Sequence, residues 1–301
     1  MSETPRISLL MRFAHLVLRA RGVKRTLQSA AATEAARAKS SGKPTAKPST
    51  RVGRRLEIAE RTDLSRTVLT ARSRGSNPTR KLIYFHGGGY INDLVAQQWA
   101  LVAALAGQNN AEVLVPLYRV APESTASVEV PALADLVEQL AFGIEVGPLV
   151  GDSAGGGLAA AVAEELRVRG KRVPHLVLFS PWLDIELSNP DIAAVERADP
   201  SLAAPGLRYA GRLWAGDLPP SDPAVSPLRS DLRGFPPTTM VIGTHDIFLP
   251  DCRLFAERAR SAGVDLCYVE VHGAFHVFVA VPALPEASRA LEQVRERLAA
   301  G

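Results

Sequence analysis

One short stretch in the middle of the chain constrains the fold most, because it places a serine between a strand pattern and a helix pattern. The apolar pair Leu149 and Val150 leads into Gly-Asp-Ser-Ala-Gly at 151–155, and an alanine-rich helical pattern follows. Small residues on both sides of Ser153 permit a sharp turn that a Cβ atom would obstruct. Gly-x-Ser-x-Gly in this setting exposes the serine hydroxyl at the tip of the turn and predicts a nucleophile. The alternative is a glycine-rich turn without chemistry, although neither the P-loop nor the G-x-G-x-x-G pattern fits it.

Short apolar runs alternate with helical patterns over most of the chain. Continuous apolar strands separated by helices predict a parallel sheet that is buried on both faces. Two alternating runs come first and are typical of antiparallel strands. The sequence therefore predicts an α/β fold with a mostly parallel sheet of eight strands and helices on both faces. The strand patterns lie at 56–59, 66–72, 81–85, 112–116, 148–150, 175–179, 239–243 and 265–271, and the main helical patterns at 95–108, 131–142, 154–169, 250–262 and 286–298.

The chain divides by composition into an N-terminal segment, residues 1–50, and a main domain, residues 51–301. The pattern over 5–37 is helical, and residues 40–50 are rich in Ser, Pro and Lys as a linker would be. Between 183 and 225 prolines and short helical patches replace the strand pattern. An irregular segment of that length is usually functional, so we interpret it as a cap insertion whose other half is the N-terminal helix. Alternatively, that amphipathic helix contacts a membrane surface.

The bulk composition excludes several classes of protein. A net charge of +4 is too small and too scattered to predict nucleic-acid binding. The two cysteines, Cys252 and Cys267, fit a reducing compartment and are interpreted as buried, inert thiols. The apolar stretch at 7–18 is interrupted by Arg12 and His15, lacks a nearby cleavage site, and is too short to span a bilayer. We therefore expect a cytoplasmic protein without an integral membrane segment.

A second glycine-rich stretch, His-Gly-Gly-Gly-Tyr at 86–90, directly follows the strand pattern 81–85. Its glycines leave backbone N–H groups unobstructed, and with the N–H of Ala154 they would form an oxyanion hole. The alternative is a flexible loop without function. We interpret His86 as a residue that braces the loop and not as a base.

A serine nucleophile also needs a base and an acid that orients the base. Asp246 follows the strand 239–243 and is the candidate acid, whereas Asp251 begins the next helix and is interpreted as structural. Two histidines follow the last strand. We favour His276 over His272 as the base, because the loop beyond the strand must reach back to the serine.

With these motifs the chain resembles the hormone-sensitive-lipase-like, or bacterial type IV, branch of the α/β-hydrolases. The resemblance extends from about residue 54 to the C-terminus. The motifs that carry it stand in family order and are His-Gly-Gly-Gly-Tyr at 86–90, Tyr-Arg-Val-Ala-Pro-Glu at 118–123, Gly-Asp-Ser-Ala-Gly-Gly at 151–156, Ser-Pro-Trp-Leu-Asp at 180–184, Ser-Pro-Leu at 226–228, Asp246, and Gly-Ala-Phe-His-Val-Phe at 273–278.

The resemblance implies an α/β-hydrolase fold and a carboxylesterase that prefers short acyl chains. It further implies that Gly88 and Gly89 donate to the oxyanion, that a helical cap covers the site, and that the protein forms a homodimer. In the family an acid commonly precedes Tyr-Arg, whereas this chain has Leu117, so a salt link from that position to Arg119 must be absent or replaced. The mechanism requires neither a metal ion nor a cofactor.

The substrate is expected to be a small-molecule ester. Aromatic residues near the strand ends and in the cap are candidates for its pocket, foremost Tyr90, Trp214, Phe248 and Phe278. Other hypotheses stay open at this stage: a lipase, a hydrolase of amides or lactones that uses the same triad, and a non-catalytic small-molecule receptor on the same fold.

Overall fold

A mostly parallel sheet of eight strands organises the computed structural model, which describes residues 7–140 and 147–300. The strands follow the order β1-β2-β4-β3-β5-β6-β7-β8, in which β1–β2 and β2–β4 are antiparallel and all other pairs are parallel. The predicted sheet is thereby confirmed. Its strands are β1 Leu56–Asp63, β2 Arg66–Ser73, β3 Arg80–Phe85, β4 Ala111–Pro116, β5 Leu149–Asp152, β6 Leu176–Phe179, β7 Thr238–His245 and β8 Leu266–Phe275.

Helices cover both faces of the sheet. Alternate residues of β3 belong to different apolar cores: Ile83 and Phe85 lie in one, and Leu82 and Tyr84 lie in the other. This alternation explains why the central strands carry continuous apolar runs and do not alternate apolar with polar residues. The helices are α1 Leu9–Arg21, α2 Ala30–Ser40, α3 Thr50–Gly53, α4 Gln98–Gln108, α5 Ala126–Leu140, α6 Ala154–Val168, α7 Ile192–Glu196, α8 Ala204–Ala215, α9 Leu249–Ser261 and α10 Pro285–Ala300.

The N-terminal helical pattern over 5–37 is not one helix. Gly22 adopts a left-handed conformation, with φ of 63°, and ends α1, and a short 3-10 turn at Val23–Leu27 follows. Ser29 then caps α2 by accepting a hydrogen bond from the backbone of Ala32. Other boundaries also differ from the prediction: α4 begins at Gln98 and α5 already at Ala126, while β1 extends to Asp63 and β8 to Phe275. Positions 141 and 142 of the α5 pattern lie outside the described residues.

The segment with linker composition has no regular secondary structure between α2 and α3, but it is fastened to the domain. The indole N–H of Trp99 in α4 donates to the carbonyl of Ala46 at 2.6 Å. The backbone N–H of Ala46 in turn donates to Leu94. These contacts tie the middle of the segment to the loop before α4.

The N-terminal segment and the 183–225 insertion contact each other. The hydroxyl of Tyr209 in α8 donates to the Glu34 carboxylate in α2 at 2.8 Å, and Arg37 pairs with the same carboxylate. The ammonium group of Lys24 donates to the backbone carbonyls of Glu196 and Asp199. The two sequence segments assigned to the cap therefore form one packed unit.

Both cysteines are free. Cys252 is buried in α9, and burial raises the pKa of its thiol well above the usual value, which fits the inert role expected of it. Cys267 differs from the expectation, because it lies in β8 and is only half-buried.

A buried acid in α5 forms the salt link to Arg119 that Leu117 cannot form. The carboxylate of Glu129 is fully buried and accepts hydrogen bonds from Arg66 at 2.5 Å, from Ser124 at 2.8 Å and from Arg119 at 3.3 Å. The salt link of Arg119 is thus replaced by one to Glu129. The same carboxylate joins α5 to β2 through Arg66.

We predict that Glu129→Gln destabilises the protein by about 3 kcal/mol, since it leaves the nearly buried guanidinium of Arg66 without its anion. Glu292→Gln is the matched control, because it breaks an exposed ion pair with Arg295 and is expected to lower the free energy of unfolding far less. Urea unfolding measures both free energies. Equal losses in the two variants would contradict this account of α5.

Candidate active site

The turn between β5 and α6 holds Ser153 in an unusual backbone conformation. Ser153 has φ of 55° and ψ of −123°, values that a non-glycine residue adopts only under strain. A Cβ atom on Gly151 would lie 2.0 Å from the carbonyl oxygen of Gly155, and one on Gly155 would lie 2.1 Å from that of Phe85. These approaches explain why the serine stands between glycines.

The three predicted triad residues lie in one hydrogen-bonded line. The Ser153 Oγ is 2.9 Å from Nε2 of His276, and Nδ1 of His276 is 2.9 Å from Oδ2 of Asp246. With the proton on Nδ1, the ring donates to the carboxylate and accepts from the serine hydroxyl. This is the arrangement in which a histidine acts as the base for a serine.

The alternatives to these residues lie elsewhere. His272 is exposed on β8. Asp251 is buried in the first turn of α9, where burial and, to a lesser extent, the charge of Asp184 raise its pKa to about 7. The structure therefore brings together the residues favoured from the sequence and leaves His272 and Asp251 outside the line.

The sheet positions the triad. β5, β7 and β8 are parallel, and Ser153, Asp246 and His276 each follow the last residue of one of these strands. The carboxyl ends of parallel strands meet at one edge of a sheet, where sites in such folds are built. Ser180, just after β6, also contributes: its hydroxyl accepts the backbone N–H of Val277 at 3.0 Å and so holds the loop that carries His276. The sequence analysis missed this role.

The predicted oxyanion loop follows β3 and passes close to the elbow. Gly88 and Gly89 both have positive φ, at 139° and 64°, and a Cβ on Gly88 would lie 2.3 Å from the carbonyl oxygen of Asn92. The Asn92 side chain donates to the Gly88 carbonyl at 3.1 Å. Ala154 is the first residue of α6, where backbone N–H groups point away from the helix without a partner inside it.

Asp152, next to the nucleophile, connects the elbow to this loop. Its carboxylate accepts hydrogen bonds from the N–H of Gly87 at 2.9 Å, from the Tyr84 hydroxyl at 2.5 Å and from the Gln98 amide at 3.0 Å. The two segments that would supply the nucleophile and the oxyanion donors are thereby held at a fixed distance. The sequence analysis recognised the motif that contains Asp152 but not this role.

His86 braces the loop, as the sequence indicated. Its ring stacks on Tyr118 with centroids 4.4 Å apart, and the Tyr118 hydroxyl donates to the His86 carbonyl at 2.8 Å. The ring is fully buried, and burial lowers its pKa. His86 is therefore neutral near pH 7 and lies in the wall of the site.

A comparison with known proteins decides the family. A family model described as an alpha/beta hydrolase fold matches residues 82–280, which contain all the residues named above for the triad and the glycine loop. The chain belongs to the α/β-hydrolases.

Relatives of this α/β-hydrolase are named as esterases. An esterase of Acinetobacter venetianus is 30% identical over 227 residues, which cover 73% of this chain and 75% of that protein. An acetyl-hydrolase of Streptomyces hygroscopicus is 34% identical over 221 residues, which cover 71% and 73%. The crystal structure of an esterase from the bacterial hormone-sensitive lipase family superimposes with a TM-score of 0.82, at 26% identity, over 98% of both chains. The resemblance to the hormone-sensitive-lipase-like branch is thus confirmed.

Three of the four aromatic residues suggested for the pocket form one cluster in this α/β-hydrolase. Tyr90 stacks on Trp214 with centroids 4.6 Å apart. On its other side Tyr90 lies 5.5 Å from Trp182, which in turn stacks on Phe248 at 5.7 Å. The Phe248 ring contacts that of His276 edge to face at 5.3 Å. Phe278 is different, because it is buried in the core on the other face of the sheet. We therefore keep Tyr90, Trp214 and Phe248 as pocket candidates and assign Phe278 to packing.

A cavity of about 670 Å³ lies beside the glycine loop. It is lined by the end of α2, by the irregular segment that follows α2, by residues 91–95 and by residues 117–120. Ser153 is not among the residues that line it. The cavity thus adjoins residues 91–95, which directly follow the glycine loop, and does not contain the nucleophile.

The insertion places a second carboxylate beside the triad. Asp199 is buried, and its Oδ2 accepts the N–H of Ile247, the residue after Asp246, at 2.9 Å. Its Oδ1 accepts the N–H groups of Ser201 and Leu202 at 2.8 and 2.9 Å. Burial and the neighbouring Asp246 charge raise the pKa of Asp199, whereas these donors lower it. No motif in the sequence pointed to this residue, because it contacts Ile247, the neighbour of the acid, from a distant part of the chain.

Burial and three neighbouring carboxylates determine the pKa of His276. Burial lowers it, but the carboxylates of Asp246, Asp199 and Asp152 together raise it above its usual value of 6.5. A base must be neutral to accept a proton, so kcat/KM is expected to fall as the pH decreases through this raised pKa. We therefore expect the acidic limb of the pH profile at a higher pH than an unperturbed histidine would give.

We predict that Asp199→Asn moves this acidic limb to lower pH. The charge that favours protonated His276 is lost. The amide oxygen can accept the N–H of Ile247 but not also those of Ser201 and Leu202, so thermal unfolding checks that the variant is folded. Asp191→Asn removes an exposed acid of the same insertion and should leave the limb in place. The measurement is kcat/KM for p-nitrophenyl acetate against pH. An unshifted limb in Asp199→Asn would show that Asp199 exerts no electrostatic effect on the base.

Proposed function

We propose that this protein is a serine carboxylesterase that hydrolyses short-chain carboxylic esters through an acyl-enzyme. The observation that supports this most strongly is the hydrogen-bonded line from Ser153 through His276 to Asp246 at the carboxyl edge of the sheet. The esterase names of the relatives agree with it.

In the first half of the reaction, His276 Nε2 takes the proton of the Ser153 hydroxyl while the serine oxygen attacks the ester carbonyl carbon. The carbonyl oxygen becomes an oxyanion, which the N–H groups of Gly88, Gly89 and Ala154 stabilise. The intermediate collapses when the bond to the alcohol breaks, and the proton on His276 passes to the departing oxygen. The acyl group is left as an ester on Ser153.

In the second half, His276 takes a proton from a water molecule, whose oxygen attacks the acyl carbon. The new oxyanion collapses, the bond to Ser153 breaks, and His276 returns the proton to the serine oxygen. The carboxylic acid leaves. Asp246 holds the ring in the required tautomer and stabilises its charged form in both halves.

The preference for short acyl groups follows from the surroundings of the nucleophile. Ser153 is only 9% exposed, and the ring of Phe248 packs edge to face on the ring of His276. A relative named as an acetyl-hydrolase supports the same preference. A triacylglycerol lipase of Mycobacterium tuberculosis is 36% identical over 176 residues, but these cover only 36% of that protein, so it supports the lipase hypothesis less.

The triad residues also bear on the other functional hypotheses, an amide or lactone hydrolase and a non-catalytic receptor. An amide or lactone hydrolase would use the same acyl transfer, whereas a receptor has no need of the base His276. We propose, as the sequence suggested, a cytoplasmic homodimer.

The first test is hydrolysis of p-nitrophenyl acetate, butyrate, octanoate and laurate. Rates are expected to be highest for the two short esters, and Ser153→Ala should lower them at least about a thousandfold. Ser230→Ala is the control, since Ser230 is also buried and its hydroxyl has no hydrogen-bond partner among the described residues. Rates that rise toward laurate would favour a lipase. No turnover of any ester by the folded protein would overturn the proposal.

A further inference from the structure

Helix α1 contacts the rest of the protein through one face only. Met11 is buried in the apolar core, and Nε2 of the buried His15 lies 2.8 Å from the carbonyl oxygen of Gly273. At the start of the helix, the backbone N–H of Ser8 donates to Glu286 in α10 at 2.7 Å. These contacts fix the helix to the end of β8, three residues before His276.

The opposite face of α1 is apolar and exposed. Leu9, Phe13 and Leu16 are 81%, 63% and 64% exposed, and they follow the spacing that places side chains in one row along a helix. Leu10 extends the row at its N-terminal end. Single exposed apolar side chains are common on protein surfaces, but a continuous row of large ones marks a surface that binds a partner.

Positive charge accompanies this row. Arg12, Arg19 and Arg21 are exposed on the same helix. From residue 4 to residue 33 the sequence contains six Arg and Lys residues and no Asp or Glu. An amphipathic helix that joins large apolar side chains to arginines without acids matches a surface of anionic headgroups over hydrocarbon.

We propose that α1 docks on an anionic lipid surface. Its apolar row enters the boundary between headgroups and acyl chains, while the arginines meet the phosphates. No helix within the described residues is long and apolar enough to cross a membrane, which agrees with a helix that lies on the surface. The proposal goes beyond the esterase function and does not depend on the triad.

A second copy of the chain is a poorer occupant of this face. A two-fold interface would bring the same surface of both copies together. The arginines of α1 would then face each other across the axis without compensating acids in the same segment, and such contacts between like charges are costly.

The docked helix would keep the catalytic edge near the lipid. The contact of His15 with Gly273 joins α1 to the end of β8, three residues before His276. Esters that partition into a lipid surface would therefore reach the site without crossing bulk water.

The proposal is tested by sedimentation with vesicles made of phosphatidylcholine alone or mixed with phosphatidylglycerol. The full chain is expected to sediment with the mixed vesicles, less so at high salt, and hardly at all with phosphatidylcholine alone. Leu16→Glu should weaken binding to the mixed vesicles about tenfold or more, since it replaces a buried apolar contact with a charge that the headgroups repel.

Val168→Glu is the matched control, because Val168 is 68% exposed at the end of α6 and the substitution changes the net charge equally. It should bind almost like the wild type. Thermal unfolding of both variants checks that they are folded. Absence of vesicle binding by the wild type would overturn the proposal, as would equal binding by the two variants. Vesicle binding is measured without ester turnover, so its outcome is separate from that of the esterase assay.

Discussion

The site depends on the close packing of two backbone segments, the first turn of α6 and the end of β3, which leaves no room for a side chain between them. At Gly155 the first turn of α6 passes the end of β3 so closely that a Cβ atom would lie 2.1 Å from the Phe85 oxygen. Just beyond, Asp152 accepts the N–H of Gly87. This close approach sets the distance between the serine and the glycine loop, on which any stabilisation of an oxyanion depends.

The rest of the fold maintains this contact against strain. The positive φ of Ser153 is unfavourable, and such conformations persist only where the surroundings determine them. Here β5 is buried between β3 and β6, and α6 is buried along most of its length. The neighbouring strands then carry Asp246 and His276 to the same edge, while Asp199 reaches the acid from the insertion. The strained turn, the base and the acid are thus held by different elements that share one sheet.

The features that could be predicted from the sequence were local ones. The elbow, the glycine loop and the strand ends each leave a signature within a few residues, and their order along the chain was enough to place Ser153, Asp246 and His276 together. The residues that were missed act over long separations: Asp199 contacts Ile247 from an irregular insertion, and Glu129 replaces an acid expected beside Arg119. Phe278 lies in a different core from the other three pocket candidates, because its place near the catalytic histidine in sequence does not tell which face of the sheet it joins.

The central claim is that Ser153 becomes a nucleophile through His276. It is tested most directly by incubating the protein with diethyl p-nitrophenyl phosphate, which a reactive serine attacks at phosphorus with release of p-nitrophenolate. Mass spectrometry of the digested chain should then show the diethyl phosphate group on the peptide that contains Ser153, at a similar rate in His272→Gln and far more slowly in His276→Gln. Labelling of a different residue, or an unchanged rate in His276→Gln, would contradict the account.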